Sequence, residues 1–371
     1  MPPDPSGGTV PASDPGRWAD VDRVLDAALD LPRAERAAFI AGACAEDAEL
    51  RREVERLLVC CEEAAGERNF LEGPATQYAA PVLRDLARRA DPADAPAPAA
   101  LVGALAGRYA LEGEIGRGAM ATVFFARDRR FDRPVAIKVL RAELARECDV
   151  RHFQREIGRT ARLNHPHIVQ VFDSGDAGGP LYFVMPYMEG GTLRRCLAHT
   201  RGLPIAEAVG IARTIAQALD YAHRRGLVHR DVKPENILFA EGEPSLADFG
   251  IARALDRVPG ETWSSVGIVR GTAEYMSPEQ IAAAERVDGR TDVYALACVL
   301  YEMLGGATPF TGATPLAVMR RHLRDEPPSL RGVRPQVPRG LERAIMRALA
   351  KDPAARPETA AAFAAALVAE G

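Results

Sequence analysis

The chain has 371 residues, 47% hydrophobic and 26% charged, and a net charge of −4. That length allows two or three domains, or one large bilobal unit with an appendage, and the mildly acidic balance argues against a general nucleic-acid binder. Cys44, Cys60, Cys61, Cys148, Cys196 and Cys298 show neither metal-ligand spacing nor a disulfide framework, which points to a reducing cytoplasm. The N-terminus MPPDPSGGTV has no basic start or apolar core, and the longest apolar runs, Val293–Leu300 and Ala360–Ala369, are too short to span a bilayer. A soluble protein is expected.

In chain order, residues 1–16 are rich in Pro, Gly, Ser and Asp and read as disordered. Residues 17–73 read as a small all-α region. Trp18, Val21, Leu25 and Ala28 mark a first helix, and Ala37 to Ile40 a second. Asp47 is the expected N-cap of a third, with Leu50, Val54, Leu57, Leu58 and Cys61 at helical spacing. Residues 74–106 read as a linker, semi-rigid through the proline-interrupted tract Asp91 to Ala100. The first 100 residues hold 11 basic and 19 acidic side chains, the rest 36 and 32, so the two parts carry opposite net charge. From residue 107 the texture changes. Residues 108–140 alternate apolar and polar positions between turn signals, and helical periodicity dominates from about 204 onward. The expected class is α+β: a small β-rich N-lobe over about 107–188 and a larger helical C-lobe over about 189–371.

Several motifs carry chemistry. Gly116-Arg-Gly118-Ala-Met-Ala121-Thr-Val123 can lay backbone over phosphates without an obstructing Cβ, although taken alone it fits a plain hairpin turn better. It runs into a further strand rather than a helix, which disfavours a dinucleotide-binding fold. Lys138 ends the apolar strand Val135-Ala-Ile-Lys138, and Glu156 is the carboxylate expected to hold it toward the α- and β-phosphates of a nucleotide. The strongest run is His229-Arg230-Asp231-Val232-Lys233-Pro234-Glu235-Asn236. Asp231 is placed to accept the proton of an incoming hydroxyl and Lys233 to neutralise a transferring phosphoryl group. Asn236 offers a neutral oxygen to a divalent metal. Asp248-Phe249-Gly250 follows at the spacing that supplies a second, carboxylate ligand.

Over roughly residues 107–370 these motifs, in this order, resemble the eukaryotic-like Ser/Thr protein kinase family, in particular its bacterial branch. Leu163-Asn-His-Pro-His-Ile168 is similar to the turn after the regulatory helix. Met185-Pro-Tyr187-Met188 resembles the hinge that binds adenine, with Met185 as gatekeeper. Gly271-Thr272 and Ser277-Pro278-Glu279 match the substrate end of the activation segment, Asp292-Val-Tyr294 the start of the helix anchoring the catalytic loop, and Arg356 the partner of Glu279. The resemblance implies the bilobal protein kinase fold and transfer of the γ-phosphoryl group of ATP to Ser or Thr, with Mg²⁺ or Mn²⁺ as cofactor. It implies nucleotide contacts from Ile115, Gly116, Gly118, Val123, Ala136, Lys138, Met185, Tyr187, Met188 and Leu238, metal contacts from Asn236 and Asp248, and Ser/Thr selection by Lys233 with Thr272. Departures are Ala121 for a glycine, Ser277 for the usual alanine and Ala297 for a glycine of the anchoring helix.

Arg230 beside Asp231 implies control through a phosphorylated loop, and Thr262, Ser264 and Ser265 are the expected autophosphorylation sites. Residues 17–73 resemble a helical extension ahead of bacterial kinase domains, a docking, dimerising, restraining or merely stabilising element. The alternative function, a pseudokinase scaffold, requires loss of a catalytic group, and Lys138, Glu156, Asp231, Asn236 and Asp248 are all present.

Overall fold

The computed structural model describes residues 24, 27–28, 33–45, 47, 50–52, 54–55, 99–118, 121–141, 150–177, 180–198, 200, 202–249, 273–282, 284, 287–312 and 314–369. Trp18, Thr262, Ser264, Ser265 and Thr272 therefore lie outside the described residues. The chain divides into two compact units, Met1–Asp85 and Leu86–Gly371.

In the first unit, helix α1 (Arg33–Ala43) places Ile40 in an apolar cluster with Val24, Ala28, Cys44, Leu50 and Val54. Leu50 donates its N–H to Asp47 Oδ1 at 2.8 Å, the side-chain cap expected there.

Among its described residues the second unit begins with helix α2 (Ala99–Leu105), inside the tract read as linker. The proline-rich composition misled here, because only Leu101 and Leu105 are needed to seat the helix on the sheet, and both are buried. Strands β1 (Tyr109–Arg117), β2 (Ala121–Asp128), β3 (Arg133–Leu140), β4 (Asp173–Asp176) and β5 (Leu181–Pro186) form an antiparallel sheet of order β1-β2-β3-β5-β4. Helix α3 (Val150–Thr160) covers one face.

Side chains alternate strictly between the two faces, as a pleated strand requires. Phe124, Ala126, Val135, Ile137, Val139 and Val184 pack with α2. Ala121, Val123, Ala136, Leu140, Phe183 and Met185 pack with Phe153 and Ile157 of α3. Lys138, two residues from both Ala136 and Leu140, falls on this second face. That is why a lysine in an apolar strand meets the cleft rather than bulk water.

Beyond β5 come α4 (Leu193–Leu197), α5 (Ile205–His223), the hairpin β6 (Ile237–Ala240) and β7 (Glu243–Leu246), and α6 (Pro278–Ile281). Helices α7 (Arg290–Gly305), α8 (Pro315–Arg324), α9 (Leu330–Val333), α10 (Arg339–Ala348) and α11 (Ala360–Ala369) complete the lobe. Helix α7 is buried all round, from Thr291 to Leu304, so it is the core on which the other helices pack. A Cβ at Ala297 is accommodated there at full burial. Gly306 closes the helix in the left-handed region (φ 79°), the conformation that favours glycine at this position. Among the described residues no helix is long and apolar enough to cross a membrane.

Candidate active site

The loop 229–236 is held from below by Asp292, at the start of α7 and wholly buried. Its carboxylate accepts the backbone N–H of His229 and of Arg230, each at 2.8 Å, and approaches His223 Nε2 at 2.7 Å. Burial pushes the Asp292 carboxyl up, but the hydrogen bond and charge of His223, with His229 adding to them, bring it below the ordinary value. An anionic Asp292 thus holds Arg230 in the left-handed region (φ 67°), a conformation that costs a non-glycine residue about 1–2 kcal/mol and needs such restraint.

His229 fixes the next peptide. Its Nε2 lies 2.7 Å from the Ala247 carbonyl and so carries the proton, which leaves Nδ1 to accept the Asp231 N–H at 3.2 Å.

Asp231 Oδ2 then receives Lys233 Nζ at 2.8 Å and Asn236 Nδ2 at 3.1 Å. The same amide nitrogen donates to the Asp231 carbonyl at 2.8 Å. Because a carbonyl can only accept, this contact fixes the amide orientation and leaves the Asn236 oxygen as the group available to a cation.

Asp248, also left-handed (φ 67°), brings a second carboxylate to the same cleft. Its Oδ2 is paired with Lys138, while Oδ1 is buried without a hydrogen-bond partner among the described residues. An orphaned anionic oxygen is the feature a divalent-cation site needs. One carboxylate and one amide oxygen are the hard donors suited to Mg²⁺, which keeps water and phosphate oxygens in the rest of its shell. Among the described residues no cluster of three or more His, Cys, Asp or Glu forms a preassembled metal centre.

One expected contact is not the one this structure holds. Lys138 pairs with Asp248 and not with Glu156. Glu156, itself buried, takes Arg159 Nη1 at 3.0 Å, one helical turn further along α3. Neighbours at i and i+3 share a helix face, so this cation is always within reach, whereas Lys138 must be met from another element. Helix α3 is also tied to the segment after β7 by Thr160 Oγ1, which donates to the Phe249 carbonyl at 3.0 Å.

The residues expected around adenine separate into two sets. Val123, Ala136, Met185, Met188 and Leu238 share one apolar cluster. Ile115 is exposed (46%), and Tyr187 stacks edge-on against Phe125 with centroids 4.8 Å apart. Gly116 faces Val123, with which it pairs in register, and Gly118 donates its N–H to Ala121 O at 2.8 Å, closing the turn. Ala121 itself is buried in the cleft cluster, so its methyl group is accommodated where the family pattern has a glycine. Between these glycines, Arg117 doubles back to the buried Glu114, with Nε at 2.9 Å from Oε1.

Three groups were not found by reading the sequence. The first is His223, an ordinary last-turn histidine until Asp292 is placed beside it. The second is a network in which Arg194 of α4 reaches Glu235 at 2.8 Å and Glu302 at 2.6 Å and also bonds Tyr275, whose hydroxyl donates to Glu302 at 2.6 Å. Burial opposes the Arg194 charge, but Tyr275, Glu302 and Glu235 outweigh it and hold the guanidinium more firmly protonated than usual. The third is Gln280, taken up below. The Arg356–Glu279 pair does form as expected, bidentate at 2.7 and 2.8 Å, with Arg356 buried.

A two-lobed fold, with a five-stranded sheet over a helical lobe and a lysine, two aspartates and an asparagine converging in the cleft, defines a phosphoryl-transfer class of protein. The protein kinase domain description matches residues 109–367, more than half of the chain, and the chain belongs to that family. It is 47% identical over 274 residues to the serine/threonine-protein kinase PknB of Mycolicibacterium smegmatis (71% of this chain, 43% of that one). It is 45% identical over 273 residues to PknB of Mycobacterium tuberculosis (71% and 43%), and 42% identical over 279 residues to the probable serine/threonine-protein kinase PknB of Bifidobacterium longum (72% and 39%). The matched region thus spans about two-fifths of the length of these relatives.

Proposed function

We propose that this chain is an ATP-dependent protein kinase that transfers the γ-phosphoryl group to serine or threonine hydroxyls of proteins. The observation that carries the reading is the convergence of Lys233 and Asn236 on Asp231, with Asp248 and Lys138 in the same cleft. Asp231 orients the hydroxyl and takes its proton at Oδ2. Lys233, already at that oxygen, turns its charge to the transferring phosphoryl group. Mg²⁺ or Mn²⁺, held by Asn236 and Asp248, supplies charge neutralisation at the phosphate oxygens when bound. Val123, Ala136 and Leu238 enclose the adenine ring, and the Met185–Met188 backbone binds its edge. In the productive state Lys138 leaves Asp248 for the α- and β-phosphates, with Glu156 as its counter-ion.

Phosphate transfer from labelled ATP with Mg²⁺, and with Mn²⁺ in parallel, tests the reading on wild type, Asp231→Asn and Lys138→Met. Both substitutions are expected to abolish transfer, and transfer that survives both rejects the assignment. Thr272 is read as the partner of Lys233 in selecting Ser/Thr. Thr262, Ser264 and Ser265 are read as the sites whose autophosphorylation Arg230 answers. Mass spectrometry of wild type against Asp231→Asn checks this, and identical unmodified loops reject it. A cytoplasmic setting belongs to the same proposal: the described cysteines, Cys44, Cys196 and Cys298, are free thiols. The helical unit at 17–73 is read as a docking, dimerising, restraining or merely stabilising element.

A further inference from the structure

The peptide unit between Arg230 and Asp231 is gripped at both ends. Its N–H, that of Asp231, donates to His229 Nδ1 at 3.2 Å. Its carbonyl, that of Arg230, accepts Gln280 Nε2 at 2.8 Å from helix α6, fifty residues along the chain.

The Gln280 amide is itself oriented from behind. Its Oε1 accepts the Ser277 N–H at 3.1 Å and Thr291 Oγ1 at 2.9 Å. Ser277 Oγ lies 2.5 Å from Thr291 Oγ1 and 3.3 Å from Gln280 Oε1, and it accepts the Gln280 N–H at 3.4 Å. Ser277 and Thr291 are both fully buried. A backbone N–H can only donate, so the Ser277 contact fixes which end of the amide is oxygen and sends the NH₂ group to Arg230. Both hydroxyls lie within hydrogen-bond reach of Gln280 Oε1 and of each other, so between them they supply its proton donors.

An alanine at position 277 could not supply this Oγ. Asp292 restrains the N-terminal side of the left-handed Arg230, while the peptide that follows it is held by His229 and Gln280. We infer that Gln280, oriented by Ser277 and Thr291, is a positioning residue for Asp231, and that it couples the substrate end of the activation segment to the geometry of the proton acceptor. The inference rests on Asp231 accepting the hydroxyl proton, as proposed above.

Gln280→Glu separates this role from a structural one. The carboxylate keeps the acceptor for Ser277 and Thr291, and so the cap of α6, but it turns an oxygen toward the Arg230 carbonyl and cannot donate to it. With Mg²⁺, ATP and a serine peptide, kcat is expected to fall about tenfold while KM for ATP and for peptide stay within about twofold of wild type. The thermal midpoint should be little changed. A folded Gln280→Glu protein with wild-type kcat overturns the inference, as does a kcat that falls only in step with the folded fraction. Thr291→Val, which removes one orienting donor at constant volume, is measured alongside and decides the matter if Gln280→Glu does not fold. A lower kcat at unchanged KM supports the inference, and an unchanged kcat overturns it. Asp231→Asn in the same assay keeps the two readings apart: if that variant is fully active, the assignment of Asp231 has failed and not merely the clamp on it.

Discussion

His322, buried in α8 with its Nδ1 2.7 Å from the Tyr294 hydroxyl, shows how one residue ties folding to pH. Burial, with a smaller push from Lys351, lowers its pKa from 6.5 to about 3. The unfolded chain therefore binds a proton below pH 6.5 that the folded one refuses until about pH 3. Stability is full above the higher value and falls as pH drops between the two, by about 2 kcal/mol at pH 5. Urea unfolding at pH 7 and pH 5 should show this loss in wild type and a flatter response in His322→Leu, which is also less stable at pH 7 through the unpaired Tyr294 hydroxyl. Asn236 sets a different kind of test. Its nitrogen is committed to Asp231, so Asn236→Ala loses both a metal oxygen and a support of the acceptor. The Mg²⁺ concentration for half-maximal activity should rise on the order of tenfold, together with a lower kcat. A Mg²⁺ titration of initial rates separates the two effects.

At the scale of elements, α7 makes the catalytic loop a fixed object. Asp292 at its first turn holds the loop backbone, Glu302 at its last turn holds Arg194, and the fourteen residues between Thr291 and Leu304 lie in the core. Arg356 performs a comparable task from the chain segment after α10, binding Glu279 of α6, the Arg290 carbonyl at 3.1 Å and the Lys351 carbonyl at 3.0 Å. With the guanidinium removed, the Glu279 carboxylate, only 11% exposed, is left without its counter-charge. Arg356→Ala is expected to cost about 3–5 kcal/mol, read from denaturant midpoints at unchanged slope. Elements also mark where pattern reading weakens. The period of two over residues 108–140 was strong enough to place Lys138 on a sheet. The seven residues of α2, with two anchoring leucines behind a proline tract, carried no comparable signal.

For the molecule as a whole, the two units have separate apolar clusters, one around Ile40 and the others within Leu86–Gly371. Two calorimetric transitions are therefore expected, and saturating ATP with Mg²⁺ should raise the larger one alone. At one hundred times Kd the gain is about 2.7 kcal/mol. A single transition that moves as one body would show the units to be coupled. The family and most residues of the candidate site were legible in the chain because phosphoryl transfer needs particular atoms at short range. Asp231, Lys233 and Asn236 lie within six residues, and Asp248 follows a hairpin later, so local spacing alone carries them. The tertiary fold decided what depends on partners far apart in sequence. Lys138 went to Asp248 and Glu156 to Arg159, because an ion pair forms with whichever opposite charge the packing brings nearest. Asp292, His223 and Gln280 came to the catalytic loop because their hydrogen bonds span fifty residues or more, and no periodicity in the chain encodes a contact of that range.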